Sequence, residues 1–230
     1  MLLGGLQKNS FIDYPGKISC VLFTAGCNFD CPYCHNPGLV RGPCRPSLDE
    51  GCFFNFLKEH KGFLDGVVIS GGEPTLQGDL TGLCRRVKQM GYPVKLDTNG
   101  SRPQVLREVI EEGLVDYVAM DIKTDPFCYT PVIKKDVNSE DILSSIRVIM
   151  HSAPAYEFRT TCVKPLVDER VLENIARLIS GAKLYALQRF HETEVLHPEF
   201  FQQGGAFFTD RELEALKAIA EPWVERCVVR

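Results

Sequence analysis

Positive charge is not in excess in this chain: 26 lysines and arginines face 30 aspartates and glutamates, for a net charge of −4. A nucleic-acid footprint has no electrostatic support, and no nucleic-acid partner is expected. No apolar run reaches the length of a membrane span, so no membrane is expected either. The segment Met1 to Lys8 lacks the long apolar core and basic flank of a secretory signal. The expected location is the cytoplasm. There is no Pro/Gly/Ser linker and no low-complexity block, which points to a single domain over residues 1–230. No convincing Ser-His-Asp or Cys-His arrangement offers an activated nucleophile.

Cysteine, by contrast, is plentiful. The ten cysteines fall at 20, 27, 31, 34, 44, 52, 84, 128, 162 and 227. Seven are scattered singly through apparent strands, helices and loops, a pattern that fits reduced thiols better than a stapled fold. Cys20, Cys52, Cys84 and Cys162 lie in apolar settings and read as core packing. The exception is Cys27-Asn28-Phe29-Asp30-Cys31-Pro32-Tyr33-Cys34, with spacing C-x3-C-x2-C and an aromatic residue before the last cysteine. Three thiolates so close can hold three corners of an iron–sulfur cubane, which normally takes four cysteines. One iron is then left open to another ligand. Zinc is the alternative, since it also accepts Cys3His sets. His35 adjoins Cys34 and is poorly placed as a fourth ligand; Cys44 is better spaced for that role.

The rest of the chain alternates strand and helix. Strands are predicted at Ile18–Thr24, Gly66–Ser70, Pro93–Asp97, Val115–Ile122, Tyr156–Val163 and Lys183–Phe190. Helices are predicted from a Ser47/Glu50 capping box, over Leu80–Met90, from Ser101, over Ser139–Met150, from Asp168, and over 209–221 behind a Thr209/Glu212 capping box. An extra strand and a Pro-Gly turn are expected over Ser10–Gly16, within an N-terminal section 1–17 that leads into the first main strand. Short strands rich in Val, Ile and Leu suit a parallel sheet buried on both faces. The fold class is α/β, an open doubly wound sheet or a barrel, and in both the site forms at the carboxyl ends of the strands.

Polar groups collect at those ends. They are the three-cysteine loop, Gly71-Gly72-Glu73-Pro74, Asp97-Thr98-Asn99-Gly100, Met120-Asp121-Ile122-Lys123, Arg159-Thr160-Thr161 and Gln188-Arg189-Phe190-His191-Glu192. Each alone is an ordinary turn or a solvated charge. Together they would line one pocket.

The cysteine spacing resembles the signature of the radical S-adenosylmethionine (SAM) superfamily. With Cys-His-Asn-Pro, Gly-Gly-Glu-Pro, Leu-Asp-Thr-Asn-Gly and Met-Asp-Ile-Lys, nearly the whole chain resembles a glycyl-radical-enzyme activase. The opening Gly-Gly-Leu-Gln-Lys-Asn-Ser-Phe-Ile-Asp-Tyr-Pro-Gly-Lys is similar to the family of anaerobic ribonucleoside-triphosphate reductase activating proteins. The resemblance implies a partial (β/α)6 barrel with a [4Fe–4S] cluster on Cys27, Cys31 and Cys34 and with SAM on the open iron. Gly71 and Gly72 would permit close backbone approach, and Glu73 would meet the SAM amine. Asp97, Thr98, Asn99, Asp121 and Lys123 would serve the ribose hydroxyls and carboxylate, Tyr33 would pack on adenine, and His35 would lie beside the cluster. In pyruvate formate-lyase activases an Asp-x-Lys run and a late histidine contact SAM, matching Asp121, Lys123 and His191. Asp97, Thr98 and Asp121 match a monovalent-cation site there; here either such a cation or Lys123 would neutralise the carboxylates.

The implied reaction is reductive cleavage of SAM, fed by a flavodoxin or ferredoxin. The resulting 5′-deoxyadenosyl radical takes hydrogen from a glycine of a partner glycyl radical enzyme, anaerobic ribonucleotide reductase being the expected one. Only Cys44 and Cys52 fall between Cys34 and Gly71, so a single cluster is expected. Other readings stay open: another radical SAM enzyme, either pyruvate formate-lyase activase-like or a small-molecule enzyme resembling 7-carboxy-7-deazaguanine synthase, and a non-catalytic zinc module.

Overall fold

The computed structural model describes residues 1–40, 48–129, 133, 138–191, 194–201 and 205–230. It opens with a hairpin. β1 (Leu3–Ser10) runs antiparallel to β2 (Ser19–Thr24), with Leu3 opposite Thr24 and Ser10 opposite Ser19. The extra strand thus lies upstream of the expected Ser10–Gly16. Its two glycines and its Gln-Lys-Asn run hide the strand pattern, while a Cβ on Gly4 would come within 2.2 Å of the Leu39 side chain. Residues 11–16 are bends and a turn instead. Tyr14 O accepts from Lys17 N at 3.1 Å, with Pro15 second and Gly16 third at φ 71°.

The alternation follows: α1 (Pro37–Val40), α2 (Glu50–Glu59), β3 (Gly66–Gly71), α3 (Leu80–Gln89), β4 (Val94–Thr98), α4 (Pro103–Glu111), β5 (Tyr117–Asp121), α5 (Ser139–Ser152), β6 (Tyr156–Cys162), α6 (Glu169–Leu178), β7 (Tyr185–Arg189), α7 (Asp210–Ala220) and β8 (Cys227–Val229). The strands form one sheet in the order β1 to β8, parallel from β2 onward. β2 to β7 are the six expected strands, and the sheet is open, with β1 and β8 at its edges. Three residues of Cys-Val-Val are too short a pattern to mark β8 in the sequence.

Helix starts follow local chemistry. Ser47 lies outside the described residues, and α2 is capped by Asp49, whose carboxylate accepts from Cys52 N at 3.0 Å. Ser101 does not cap α4. Pro103 sets the first turn and Arg102 takes the cap position without a side-chain bond. Ser101 turns toward the cysteine loop, its hydroxyl donating to Asn28 Oδ1 at 3.3 Å. Asp168 caps α6, and Thr209 with Glu212 forms the expected capping box.

Alternation along each strand separates two faces. Leu22, Ile69, Leu96, Met120, Phe158 and Leu187 point outward into the large apolar cluster beneath the helices. The opposite, concave face carries Val21, Val68 and Tyr117 toward one end and Ser70, Asp97, Asp121, Arg159 and Gln188 toward the other. Both faces are buried, as expected of parallel strands, but only the outer one is uniformly apolar.

β3 ends where the chain crowds β2. A Cβ on Gly72 would lie 2.0 Å from Gly26 O, and one on Gly71 would lie 2.4 Å from Thr24 N. These glycines therefore serve an approach of backbone to backbone, which a ligand-facing role does not require. A methyl at Gly72 forces the two segments apart at a cost of about 1–3 kcal/mol. Gly72→Ala should lower the thermal midpoint of the metal-free protein by roughly 5 °C or more. Gly78, with open space around its Cβ position, is the control, and Gly78→Ala should melt within about 1 °C of the parent. Equal midpoints for the two variants would overturn this account.

Candidate active site

Cys27, Cys31 and Cys34 lie on an irregular segment after β2, fastened by distant parts of the chain. Asp30 N donates to Ile133 O at 3.0 Å, Leu196 N to Cys34 O at 3.0 Å, and His197 N to Pro32 O at 3.1 Å. The three cysteines line one cavity of about 280 Å³ at the carboxyl ends of the strands. Tyr33, His35, Gly71, Gly72, Glu73, Asp97, Thr98, Asn99, Asp121 and Lys123 line it as well. Of the cluster and SAM contacts expected from the resemblance, only His191 is not among the residues lining it.

The thiols fit an iron–sulfur cubane. Burial pushes the Cys27 thiol up to about 11, with Glu73 adding to it, and the Cys31 thiol to about 12. Metal binding must therefore displace protons. Donors are already turned to sulfur: Phe29 N reaches Cys27 Sγ at 3.4 Å and Asn99 Nδ2 reaches it at 3.9 Å. Among the described residues no three His, Cys, Asp or Glu gather closely enough to hold a single metal ion. A cubane asks something else, because each thiolate takes its own iron. Cys44, the further zinc ligand considered, lies outside the described residues. A ligand besides the cluster also has a place to bind: the Tyr33 hydroxyl is buried at the cavity with no hydrogen-bond partner among the described residues.

Glu73 is only 1 % exposed, and its carboxylate organises the turn around it. Oε1 accepts from Thr75 N at 3.1 Å and from the Thr98 hydroxyl at 2.7 Å; Oε2 accepts from Asn99 N at 2.7 Å. Burial raises its pKa, and these donors pull it back only partly. Asn99 in turn donates to Asn28 Oδ1 at 3.0 Å, tying the end of β4 to the cysteine loop.

The floor of the cavity is a chain of charges across β4, β5 and β6. Asp97 pairs with Lys95, which sits two residues earlier on the same face and is 1 % exposed. Arg159, opposite Asp121 in the sheet register, places Nε 2.8 Å from Asp121 Oδ1 and Nη2 3.2 Å from Oδ2. Its other end reaches Asp97 Oδ2 at 3.5 Å. Lys123 Nζ lies 3.1 Å from Asp121 Oδ2. Burial alone would raise the Asp121 carboxyl, but Arg159 and Lys123 outweigh it and hold it well below the usual carboxylate range; Asp97 is lowered likewise by Arg159 and Lys95. In the sequence Arg159 stands at a strand end with no role expected of it, and Lys95 lies within a strand. The available signal was alternation, since Lys95 and Asp97 are two apart in a buried strand and must share a face.

His191 is placed apart from the other expected contacts. Its side chain is exposed, and its backbone carbonyl accepts from His35 Nε2 at 3.1 Å. Phe190 takes the inward place. Its ring stacks on His35 at 5.6 Å and on Phe201 at 5.2 Å, and meets Tyr33 edge-on at 6.4 Å. Gln188 and Thr161 supply the polar lining on that side.

Comparison with known proteins agrees with this geometry. The family model of the radical SAM superfamily matches residues 21–179, and the chain belongs to that superfamily. It is 38 % identical over 236 residues to a protein of Methanocaldococcus jannaschii provisionally named a glycyl-radical enzyme activating enzyme, covering 100 % of this chain and 95 % of that one. It is 27 % identical to the pyruvate formate-lyase-activating enzyme of Clostridium pasteurianum, over 81 % of this chain and 80 % of that one. Among solved structures, Streptococcus suis SuiB bound to S-adenosylmethionine superposes with a TM-score of 0.69 at 12 % identity, covering 89 % of this chain and 48 % of that one, a likeness of fold alone. The chain is thus a radical SAM enzyme homologous to glycyl-radical-enzyme activases, and a [4Fe–4S] cluster and SAM follow from the family.

The depressed carboxyls give a pH dependence. A carboxyl lowered in the folded state stabilises fully above the ordinary range of roughly pH 4 and loses that contribution as pH falls below it. Urea denaturation of the metal-free protein from neutrality to about pH 3 should show stability falling with acid, and Asp121→Asn should show a shallower fall. Identical slopes in parent and variant would mean that Asp121 is not held down.

Proposed function

We propose that this chain reductively cleaves SAM at a [4Fe–4S] cluster and generates a glycyl radical on a partner enzyme, an anaerobic ribonucleotide reductase. The observation that carries the reading is the meeting of all three cysteines of the C-x3-C-x2-C segment with the polar ends of β3 to β7 around one cavity. Relatives named as activases, one spanning the full chain, support the class; the partner is this reading's own step. A flavodoxin or ferredoxin in the cytoplasm would deliver the electron.

Cys27, Cys31 and Cys34 would hold the cluster, leaving it open to SAM. The bound cluster and SAM together supply the one-electron chemistry that removes hydrogen from a glycine Cα, while the protein binds, orients and excludes competing reactions. Tyr33 offers the nucleoside a ring, with Phe190 at its edge, and a hydroxyl without a partner among the described residues. Lys123 offers a positive charge to the methionine carboxylate, and Asp121 an acceptor for ribose hydroxyls. Asn99 stands between sugar and cysteine loop. The backbone carbonyls near Gly71 and Gly72, with Glu73 behind them, face the methionine amine.

Two measurements test this. Anaerobically reconstituted protein should hold about four irons per chain with matching sulfide, and Cys27→Ala, Cys31→Ala or Cys34→Ala should each lose the cubane. One zinc and no sulfide in anaerobically purified protein would sink the cluster. Then reduced protein, SAM and candidate glycyl radical enzymes are mixed without oxygen and examined by electron paramagnetic resonance. A glycyl doublet in the reductase is the expected result. A doublet only in another glycyl radical enzyme changes the partner, and no doublet alongside fast SAM turnover on a small molecule overturns the activase reading.

A further inference from the structure

The monovalent cation expected from the family resemblance does not fit the groups that would bind it. Its oxygens would come from Asp97, Thr98 and Asp121, and each of these already has protein partners. Asp97 Oδ1 takes the Lys95 ammonium, and Asp97 Oδ2 accepts from Ser70 Oγ at 3.1 Å and faces the Arg159 guanidinium at 3.5 Å. Asp121 Oδ1 takes Arg159 Nε, and Asp121 Oδ2 takes both Arg159 Nη2 and Lys123 Nζ. Thr98 Oγ1 donates to Glu73 at 2.7 Å and accepts from Gly100 N at 3.1 Å. Two carboxylates thus face three cationic side chains, Lys95, Lys123 and Arg159. An alkali ion entering here would displace a hydrogen-bonded guanidinium and add to positive charge already in excess. At these separations in a poorly solvated site, repulsion between like charges is only weakly screened.

We propose that Arg159, backed by Lys95, takes the place of the monovalent cation, so that the site is assembled without any alkali ion from solution. The fixed register supports this. Asp121 and Arg159 are partners across β5 and β6, and Asp97 lies one strand further, so the planar fork spans both carboxylates from a rigid strand. A bound ion can leave; a guanidinium on a buried strand cannot. Arg159 is thus a positioning residue that fixes Asp97 and Asp121 before any ligand arrives.

The binding readout rests on the reading of this cavity as the SAM site, whereas the ion readout does not. Thallous ion, a spectroscopic stand-in for potassium, is titrated into the metal-free protein and followed by thallium-205 NMR. Thermal midpoints and equilibrium SAM titrations of reconstituted protein are then compared in potassium and tetramethylammonium chloride at equal ionic strength. The parent should show no saturable thallous binding, the same midpoint in both salts, and SAM affinity equal within twofold. Arg159→Met uncovers the carboxylates. It should bind thallous ion, melt several degrees higher in potassium, and bind SAM at least tenfold more tightly in potassium than in tetramethylammonium. Saturable thallous binding by the parent, or a tenfold loss of its SAM affinity on withdrawing potassium, overturns the proposal. A folded Arg159→Met with no response to potassium overturns the assignment to Arg159. If Arg159→Met folds in neither salt, the parent's results decide. Failure of the parent to bind SAM in either salt removes the functional reading and leaves the thallous result to decide the cation.

Discussion

Five charged side chains on and just beyond three neighbouring strands lie inside the sheet's concavity, and each of them meets its opposite. Removing one ion from water costs several kcal/mol, and a charge with no opposite partner beside it would be too costly to keep. Lys95, Asp97, Arg159, Asp121 and Lys123 therefore stand or fall together. The set leaves one positive charge in excess at the cavity floor. That excess suits an anionic ligand group, such as an amino-acid carboxylate, and does not suit a metal cation. Glu73 stands apart from the chain, its oxygens committed to Thr75, Thr98 and Asn99.

The charge network also accounts for the open barrel. A closed barrel fills its interior with branched apolar side chains. Here the inner face is apolar only toward the amino ends of the strands, where Tyr14, Val21 and Val68 pack with Phe23 and Tyr117. Above that plug the same face turns polar, and the cavity remains. Lower on β6, Glu157 is buried and paired with Arg230 at 2.9 Å, so that charge too has its partner. The apolar surface that drives folding lies on the outer face, between sheet and helices. Core and site occupy opposite sides of the same strands, which lets the site be polar while folding is driven elsewhere.

This division explains what could be read from the sequence. The six main strands, the helices between them and the gathering of strand ends were legible because outward apolar residues alternate with turn signals. The cysteine spacing was legible because few other structures need it. β1 was misplaced because Gly4 and Gly5 carry no side-chain pattern. β8 was missed because three residues carry almost none. Ser101 looked like a cap, but Pro103 fixes the helix start and frees Ser101 to hold the cysteine loop. His191 follows β7 in the sequence, but in the fold its side chain is exposed while Phe190 stacks on His35 beside the cavity. Pairings across strands, such as Arg159 with Asp97 and Asp121, depend on register between segments far apart in the chain, and local pattern does not carry register.

The cysteine segment shows how much of a site can depend on backbone alone. It has neither helix nor strand of its own, so its peptide groups must find partners elsewhere or be left unpaired at a buried site. Asn36 and Pro37 begin that repair. Asn36 O accepts from Leu39 N at 3.0 Å and from Val40 N at 3.3 Å, starting the single turn of α1. The turn carries Leu39 back to the start of the loop, where Gly26 N donates to Leu39 O at 2.7 Å. The chain from Gly26 to Leu39 thereby closes into a ring that contains all three cysteines. Gly26 holds φ at 91°, a conformation that residues with a Cβ rarely adopt. Its carbonyl accepts from Glu73 N at 2.9 Å, and the opposite side of the ring is held by Leu196 and His197. The thiols are positioned by a closed loop clamped at both sides, and the Asn-Pro following Cys-His is part of the device that closes it.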